Sequence, residues 1–466
     1  MHNQTQPNLN RSATEAGHNG WGLAPWSRVL CSCLVLLLVS GCSSYGVIYN
    51  EPGVDVEAGK TYSLKTWAQA KENSDFIFIL AFSGGGTRAA AMAYGVLEEL
   101  RDTPITVDGQ QVRLLDEVTH ITSVSGGSFA SAYYGLYGEK IFENFEDEFL
   151  LKNVQKHLTV SVLRPIHWFT RKGRTDRAID YYNKILFHDA TFADMMQPGR
   201  PMIIINASDL AYGVRFSFIQ DYFNFLCSDV RDFPVASAVA ASSAVPVVFN
   251  PVVMQNYPGC PEPKVTPRVV EMAQHSDELT QMLAGLQSYA DKEEREYIHF
   301  VDGGITDNMG LRAMSDVVLV SGGATQFINK TQRKIPKTVV VLSVNASTEK
   351  ESGMSKSAKQ PSMITSMNAM TNIQLHRYNA ATVDNVRKGL NEWAAELSTP
   401  EHEVKAYFIE VGFEEVPQPQ LKLFLNKIPT SFSLEPDQVE SLIKTSRALV
   451  REDPDFQQLL KDIAAQ

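Results

Sequence analysis

Residues 79–93, ILAFSGGGTRAAAMA, carry the local pattern that decides the fold. An apolar run ends at three glycines, and an alanine-rich segment with helical spacing begins directly after them. A strand that turns into a helix through glycines presents backbone N–H groups to an anion at the helix N-terminus. That anion is either a dinucleotide pyrophosphate, since Gly84, Gly86 and Ala89 fit GxGxxG/A, or the oxyanion of an acyl-transfer intermediate. The glycine turn by itself leaves both alternatives open.

A second pattern of strand, turn and helix contains a candidate nucleophile. The apolar residues 118–122 run into SVSGGS at 123–128, and a segment with helical spacing follows. In a nucleophile elbow, small residues flank a central serine because the strand and helix backbones come close together. Ser125 is that serine, with Ser123 and Gly127 at the two outer positions of GxSxG. The alternative is an ordinary serine at a helix N-cap.

An activated serine also needs a base, and YIHFVDGGITDNMG at 297–310 offers one. A predicted strand delivers Asp302 into a Gly-Gly turn, where its carboxylate can reach a hydroxyl on a neighbouring element. The alternative is a turn-forming Asp-Gly pair. We expect His120 and His299 to be core residues of their strands rather than bases. Neither HExxH nor CxxC occurs in the sequence, so no metal or other cofactor is predicted.

Short apolar runs alternate with segments of helical periodicity along the chain. This alternation predicts an α/β fold, a mostly parallel central sheet covered by helices on both faces. The strands of the catalytic domain, 76–345, are predicted at 76–82, 118–122, 202–206, 297–301 and 339–344. Residues 346–466 are predicted to be a mainly helical C-terminal region that packs on this domain, with one further strand at 404–411.

The N-terminus has the order of a secretion signal. Arg28 precedes an apolar run at 29–39 that is too short to span a bilayer, and VSGC follows at 39–42. VSGC resembles the lipobox of bacterial lipoproteins, which implies a signal peptide at 1–41 and lipidation of Cys42. The alternatives are an ordinary secretory signal and a buried N-terminal helix.

The lipobox resemblance also implies a location. It predicts a lipid-anchored protein of the bacterial cell envelope, and Ser43 after the cysteine favours the outer membrane. Residues 42–75 are polar with scattered turn formers and are predicted to be a tether. Cys227 and Cys260 would then lie in an oxidising compartment, where a disulfide between them would stabilise the fold by about 3 to 4 kcal/mol. Two free buried thiols are the alternative.

Four motifs in order resemble those of patatin-like phospholipases. They are GGGTR at 84–88, SVSGGS at 123–128, ASSAVPVVFNP at 241–251 and DGG at 302–304. The resemblance covers about residues 76–345 and implies a serine-aspartate dyad without a catalytic histidine. Three residues depart from the family pattern, namely Ser83, Ala89 and Ser123. Each is small or lies beside a turn, so we expect the chemistry to be retained.

The same resemblance assigns roles to individual residues. Ser125 would be the nucleophile and Asp302 the base, and the backbone amides of the glycine turn would form the oxyanion hole. The hole residues are Gly84, Gly85, Gly86 and Thr87. We expect Arg88 to fix the turn or a nearby carboxylate, and Ser242 and Ser243 to support a loop at the wall of the site.

The predicted function is a membrane-anchored serine lipid acyl hydrolase, a phospholipase A or lysophospholipase that cleaves carboxylic esters of membrane lipids. The alternative is a catalytically inactive lipoprotein that binds or carries lipid in the same pocket. A net charge of −11 argues against general nucleic-acid binding. Residues 151–177 combine basic and aromatic side chains, as an anionic lipid surface favours, although a solvated surface explains them equally. The candidate membrane patch consists of Arg164, Trp168, Phe169, Arg171, Lys172 and Arg174.

Overall fold

The structure is a computed structural model that describes residues 45–53, 61–71, 73–107, 109–163, 173–246, 248–261, 265–348 and 357–465. The predicted signal peptide and Cys42 lie outside these ranges. So do five of the six residues of the predicted membrane patch, Arg164, Trp168, Phe169, Arg171 and Lys172. Residues 45–466 form one compact unit.

A central sheet organises this unit. The strands are β1 (Phe76–Phe82), β2 (Pro104–Val107), β3 (Gln110–Arg113), β4 (His120–Val124), β5 (Met202–Asp209), β6 (Arg215–Ser217), β7 (Val252–Gln255), β8 (Tyr297–Asp302), β9 (Thr338–Asn345) and β10 (Lys405–Gly412). Within the described ranges, eight strands form one sheet in the order β10-β9-β1-β4-β5-β8-β7, with β6 paired to β5. The pairs from β10 to β5 are parallel, and β8, β7 and β6 pair antiparallel.

The helices flank this sheet. They are α1 (Leu64–Ala70), α2 (Thr87–Asp102), α3 (Gly126–Tyr137), α4 (Ile141–Phe145), α5 (Val154–Leu163), α6 (Arg174–Tyr182), α7 (Gln220–Phe223), α8 (Val235–Ser242), α9 (Pro267–Ala273), α10 (Asp277–Gln287), α11 (Gly304–Asp307), α12 (Arg312–Ser321), α13 (Ala324–Thr331), α14 (Met363–Leu397), α15 (Pro419–Lys427), α16 (Pro436–Glu452) and α17 (Pro454–Ala464). None of these helices combines the length and apolar character needed to cross a membrane.

Both faces of the sheet are covered, as the sequence predicted. On one face, Ile79 and Ala81 of β1 pack with Met314 of α12 and Val386 of α14. On the other face, α3 lies against Phe82, and α2 packs between α3 and α16. Every residue of β1 is therefore buried, which explains why its sequence is a continuous apolar run instead of an alternating one. The predicted α/β fold with a mostly parallel sheet is confirmed.

The C-terminal region belongs to the same sheet. Its strand β10 pairs in parallel with β9 along the whole length of both strands. Helix α16 packs on α2, where the carboxylate of Glu99 accepts hydrogen bonds from Arg447 and Arg451. The region is mainly helical, and its one strand lies within a residue of the predicted position.

The prediction of a polar tether at 42–75 is wrong for the stretches 45–53 and 61–71. Tyr62 is fully buried, and its hydroxyl donates to the carbonyl of Ile203. Trp67 of α1 donates from its indole to Arg200 O. The earlier stretch 45–53 is also held on the body, because Asn50 exchanges two hydrogen bonds with the backbone of Gln255. A few apolar residues are enough to hold this polar segment on the folded body. The average composition of the segment therefore predicted its structure wrongly.

Candidate active site

Strand register brings the two predicted catalytic residues together. β1 and β4 run parallel with Phe82 opposite Ser123, so the glycine turn and the elbow leave the sheet at the same edge. Val124, which precedes Ser125, lies opposite Asn206 of β5. On the other side of β5, Ala207 lies opposite Asp302, the last residue of β8. The antiparallel direction of β8 thus delivers the aspartate beside the end of β4.

Ser125 occupies the sharp turn that the elbow pattern predicts. Its φ of 50° and ψ of −120° lie in a region that residues other than glycine rarely adopt, so the turn is strained. Its amide N–H donates to Ser242 Oγ at 2.8 Å. The next residue, Gly126, has no space for a side chain, because a Cβ there would overlap the backbone of Gly86. Close approach of the elbow to the glycine turn therefore explains why small residues follow the serine.

The side chains of Ser125 and Asp302 form a direct pair. Ser125 Oγ donates to Asp302 Oδ2 at 2.9 Å, and the other carboxylate oxygen accepts the Gly304 N–H at 2.7 Å. Both residues are buried, with exposures of 6% and 8%. Burial raises the pKa of Asp302 to about 6, while the hydrogen bonds from Gly304 and Ser125 lower it in part. The carboxyl group is thus ionised at neutral pH and is a stronger base than an ordinary aspartate.

Only part of the predicted oxyanion hole is available. The Gly84 N–H donates to Asn308 O at 2.9 Å, and the Thr87 N–H donates to Ser431 O at 2.9 Å. These two amides are already engaged, which corrects the prediction for them. The amides of Gly85 and Gly86 have no acceptor among the described residues, and they precede the first turn of α2. The candidate donors for an oxyanion hole are therefore the amides of Gly85 and Gly86, at a helix N-terminus.

Two of the departures from the family pattern have their own hydrogen bonds. Ser83 Oγ donates to Gly84 O at 3.1 Å and accepts the Ala346 N–H at 2.9 Å. Ser123 Oγ accepts from Ser131 Oγ at 2.6 Å. Both hydroxyls are buried without being left unpartnered, so these serines fit where the family has other residues.

Arg88 links the glycine turn to the C-terminal region. It is 2% exposed and donates to Ala346 O at 2.8 Å, to Ile428 O at 2.6 Å and to Thr430 Oγ1 at 3.0 Å. The arginine therefore fixes the turn through backbone and hydroxyl oxygens instead of a carboxylate. We call residues 428–434, IPTSFSL, the C-terminal strap.

The strap lies directly against the glycine turn and helix α3, which follows Ser125. Ser431 contacts the turn at Thr87, as described, and the Phe432 ring meets that of Phe129 on α3 at a centroid distance of 5.7 Å. Sequence reasoning missed the strap because IPTSFSL carries no chemical motif, and its role depends mainly on backbone atoms. No signal within that heptapeptide would have revealed it.

The two histidines differ in their environment. His120 is buried at the opposite end of β4 from Ser125, and burial lowers its pKa to about 3. The prediction that His299 is a core residue is wrong. It is exposed on β8, because alternate side chains of that strand point outward. Neither histidine forms a hydrogen bond with Ser125 or Asp302 in the described part of the chain.

The remaining predictions for the site concern ligands. Arg174 is the single residue of the predicted membrane patch that the structure describes, and its backbone N–H donates to Asn250 Oδ1 at 3.1 Å. Within the described ranges, no group of three or more His, Cys, Asp or Glu residues is placed to hold a metal ion. The structure joins Cys227 and Cys260 in a disulfide, the first of the two alternatives.

The family model for patatin-like phospholipases matches residues 80–314, half of the chain. The chain belongs to the patatin-like phospholipase family. The match includes the glycine turn, the elbow, Asp302 and all of the strands between them. It indicates a lipid acyl hydrolase. No curated protein sequence matches this patatin-like phospholipase significantly.

Similar solved structures include human GIVD cytosolic phospholipase A2. One such structure is 11% identical, with 91% of this chain and 69% of that chain covered and a TM-score of 0.43. The human enzyme in complex with methyl gamma-linolenyl fluorophosphonate is 11% identical, with coverage of 87% and 63% and a TM-score of 0.38. The structure that also contains terbium chloride is 12% identical, with 90% of this chain and 66% of that chain covered and a TM-score of 0.39. The patatin-like phospholipase described here spans about two thirds of the length of these chains.

Proposed function

We propose that the protein hydrolyses carboxylic esters of membrane lipids, as a phospholipase A or a lysophospholipase, through a dyad of Ser125 and Asp302. The observation that supports this most directly is the hydrogen bond of 2.9 Å from Ser125 Oγ to Asp302 Oδ2. It joins a hydroxyl on a strained turn to a buried carboxylate whose pKa is raised to about 6. Such a pair suits nucleophilic attack with general-base assistance.

The proposed reaction has two halves. Asp302 accepts the proton of Ser125 Oγ as this oxygen attacks the ester carbonyl, and the amides of Gly85 and Gly86 stabilise the tetrahedral oxyanion. The protonated Asp302 then gives its proton to the departing alcohol, which leaves an acyl-enzyme. Asp302 then accepts a proton from a water molecule that attacks the acyl carbonyl. As the bond between the acyl carbon and Ser125 Oγ breaks, Asp302 returns this proton to Ser125 Oγ and the carboxylic acid is released. Each donor of the hole is expected to contribute about 3 to 4 kcal/mol to transition-state stabilisation.

Apolar side chains beside the dyad support a lipid substrate. The Asp302 N–H donates to Ala244 O, so the loop that follows α8 borders the base. On this loop Val245 is 42% and Val248 is 55% exposed, and Ile305 of α11 is 52% exposed. Three exposed aliphatic residues, on the loop after α8 and on α11, belong to the two segments that contact Asp302, and they favour a substrate held in a membrane over a soluble one.

Covalent labelling by a fluorophosphonate tests the proposal. We expect the probe to modify Ser125 in peptide mapping, and Ser125→Ala and Asp302→Ala to abolish labelling. Asp302→Asn, which keeps the shape of the side chain, should lose labelling while the protein stays folded. A folded protein that resists the probe but binds lipid would support the alternative, a catalytically inactive lipid-binding protein.

Vesicle hydrolysis tests the part that the apolar residues play. Val248→Asp and Ile305→Asp should reduce hydrolysis of phospholipid vesicles while leaving hydrolysis of a monomeric short-chain ester unchanged. Tyr297→Asp is the matched control, since this residue is 44% exposed but starts the strand that ends at Asp302, about 16 Å away. Equal losses in all three variants would contradict a membrane-facing surface at the dyad.

We propose further that Cys42 carries a lipid anchor at the bacterial outer membrane and that the patch around Arg171 contacts anionic lipid. Support comes from the sequence VSGC and from the basic and aromatic composition of residues 151–177. Cys42→Ser should release the protein from the membrane fraction and abolish incorporation of labelled palmitate. Neutralising Arg171, Lys172 and Arg174 should weaken binding to anionic vesicles, and unchanged binding would exclude the patch.

A further inference from the structure

We propose that Ser242 is a positioning residue for this reaction, whose hydroxyl holds the backbone of the nucleophile and whose carbonyl holds the loop of the base. The inference rests on the proposed function and assigns a role to the last residue of α8. Ser242 is fully buried, and its hydroxyl bonds the backbone N–H of Ser125 instead of the reacting oxygen. It acts on the backbone that presents this oxygen.

The hydrogen bonds around the hydroxyl have one consistent arrangement. Ser242 Oγ lies 2.8 Å from Ser125 N, 2.6 Å from Asn206 O and 3.0 Å from Ser128 Oγ. A backbone N–H only donates and a carbonyl oxygen only accepts. The single proton of Ser242 therefore goes to Asn206 O, and its two lone pairs accept from Ser125 and Ser128. All of its hydrogen-bonding capacity is used, so its orientation is fixed.

The backbone of the same helix end contacts the base loop. Ser242 O accepts the Gly303 N–H at 3.0 Å, and Ala244 O accepts the Asp302 N–H at 3.0 Å. Ser242 is thus bonded to the nucleophile through its side chain and to the residue after the base through its main chain. The hydrogen bond between Ser125 and Asp302 joins two separate turns of the chain. Because Ser242 is bonded to both turns, it helps to set the distance between Ser125 Oγ and the Asp302 carboxylate.

The strained turn explains why the hydroxyl matters for reactivity. Ser125 adopts a φ of 50°, and a conformation of this kind persists where surrounding contacts enforce it. Ser242→Ala would leave the Ser125 N–H and one acceptance site of Asn206 O without a partner in a buried position. The turn would then relax toward a less strained conformation and move Ser125 Oγ away from Asp302.

The neighbouring serine provides a matched control. Ser243 is also buried, at 1% exposure, and its hydroxyl donates to Val239 O at 2.7 Å. That carbonyl also accepts the Ser243 N–H at 3.0 Å, so it stays partnered when the hydroxyl is removed. Ser243→Ala deletes the same atom one position later, on the same helix end, without affecting the elbow.

The experiment compares kcat and KM of both variants on a monomeric short-chain ester. We expect Ser242→Ala to lower kcat about 10- to 100-fold with KM unchanged, as displacement of a reacting group by roughly 1 Å does, and Ser243→Ala to keep kcat within about 2-fold of the parent. Ser242→Cys retains a weak donor and acceptor, so its kcat should lie between those of Ser242→Ala and Ser243→Ala. Rates are expressed per folded molecule, from circular dichroism and thermal unfolding of each sample.

The outcomes separate this inference from the proposed function. Equal kcat in Ser242→Ala and Ser243→Ala would overturn the positioning role, as would a loss that disappears when rates are corrected for folded protein. If Ser125→Ala, measured alongside, remains active, the proposed nucleophile is wrong. If Ser125→Ala is inactive while Ser242→Ala keeps the parental kcat, the inference about Ser242 fails and the proposed dyad stands.

Discussion

The raised pKa of Asp302 predicts how the reaction responds to acid. Burial raises this pKa to about 6, and the carboxyl must be ionised to accept the proton of Ser125. With a pKa of 6, about 90% of the molecules carry the ionised base at pH 7 and about 10% at pH 5. An ordinary aspartate would still be more than about 90% ionised at pH 5. The expected kcat/KM at pH 5 is thus one tenth of the plateau value.

The assay is hydrolysis of a monomeric short-chain ester between pH 4.5 and 8.5, with the released acid quantified by mass spectrometry. A monomeric substrate keeps the charge of a membrane surface out of the profile. Asp307 needs a control, because burial raises its pKa to about 6 as well. In Asp307→Asn we expect kcat/KM to fall at low pH with the same midpoint near pH 6, and we call this fall the acid limb of the profile. His120 is excluded as its source, since its pKa is about 3.

The raised pKa of Asp302 also affects stability, and it does so in the opposite direction: lower pH reduces activity but stabilises the fold. Because the pKa is higher in the folded state, protonated Asp302 stabilises the fold at low pH, and this contribution is lost as pH rises from about 4 through 6. The shift corresponds to about 3 kcal/mol. Asp302→Asn should remove this pH dependence from the free energy of unfolding. An acid limb near pH 4, or one that moves there in Asp307→Asn, would refute the assignment of the limb to Asp302.

Three further predictions concern stability. Gly86→Ala should lower the free energy of unfolding by about 2 to 4 kcal/mol and abolish fluorophosphonate labelling, because φ is 62° and the new Cβ would lie 2.5 Å from Ser431 O. Replacing Cys227 and Cys260 by serine should lower it by about 3 to 4 kcal/mol, and reductant should then lose its effect on the melting temperature. Glu99→Gln should lower it by about 1 to 2 kcal/mol in urea unfolding at low salt, less at high salt, since the partner arginines are partly exposed.

The sequence predicted the parts of the site that depend on local pattern. Ser125 is recognisable because an elbow needs a strand before it and small residues after it, and both are local features. Asp302 is recognisable for a similar reason, since a strand ends there at two glycines. The contact between them depends on the antiparallel placement of β8 beside β5, which no local pattern specifies.

The errors have physical causes of the same kind. The amides of Gly84 and Thr87 are engaged by Asn308 and Ser431, which are distant in sequence, so the turn alone overstated the number of free donors. The prediction for His299 is wrong because burial alternates over the first residues of β8, so that His299 points outward between the buried Ile298 and Phe300. The tether was misassigned because Trp67 and its neighbours dock individually.

The C-terminal strap has a consequence for the order in which the site is assembled during synthesis. Ser431 and Thr430 contact the glycine turn through Thr87 and Arg88, more than 340 positions earlier in the chain. Ser125 and Asp302 leave the ribosome before the residues that brace the turn have been made. A nascent or truncated chain therefore contains Ser125 and Asp302 without the contacts that brace the glycine turn. Until residues 428–431 are in place, Arg88 and Thr87 lack oxygen atoms to which they donate hydrogen bonds in the folded protein.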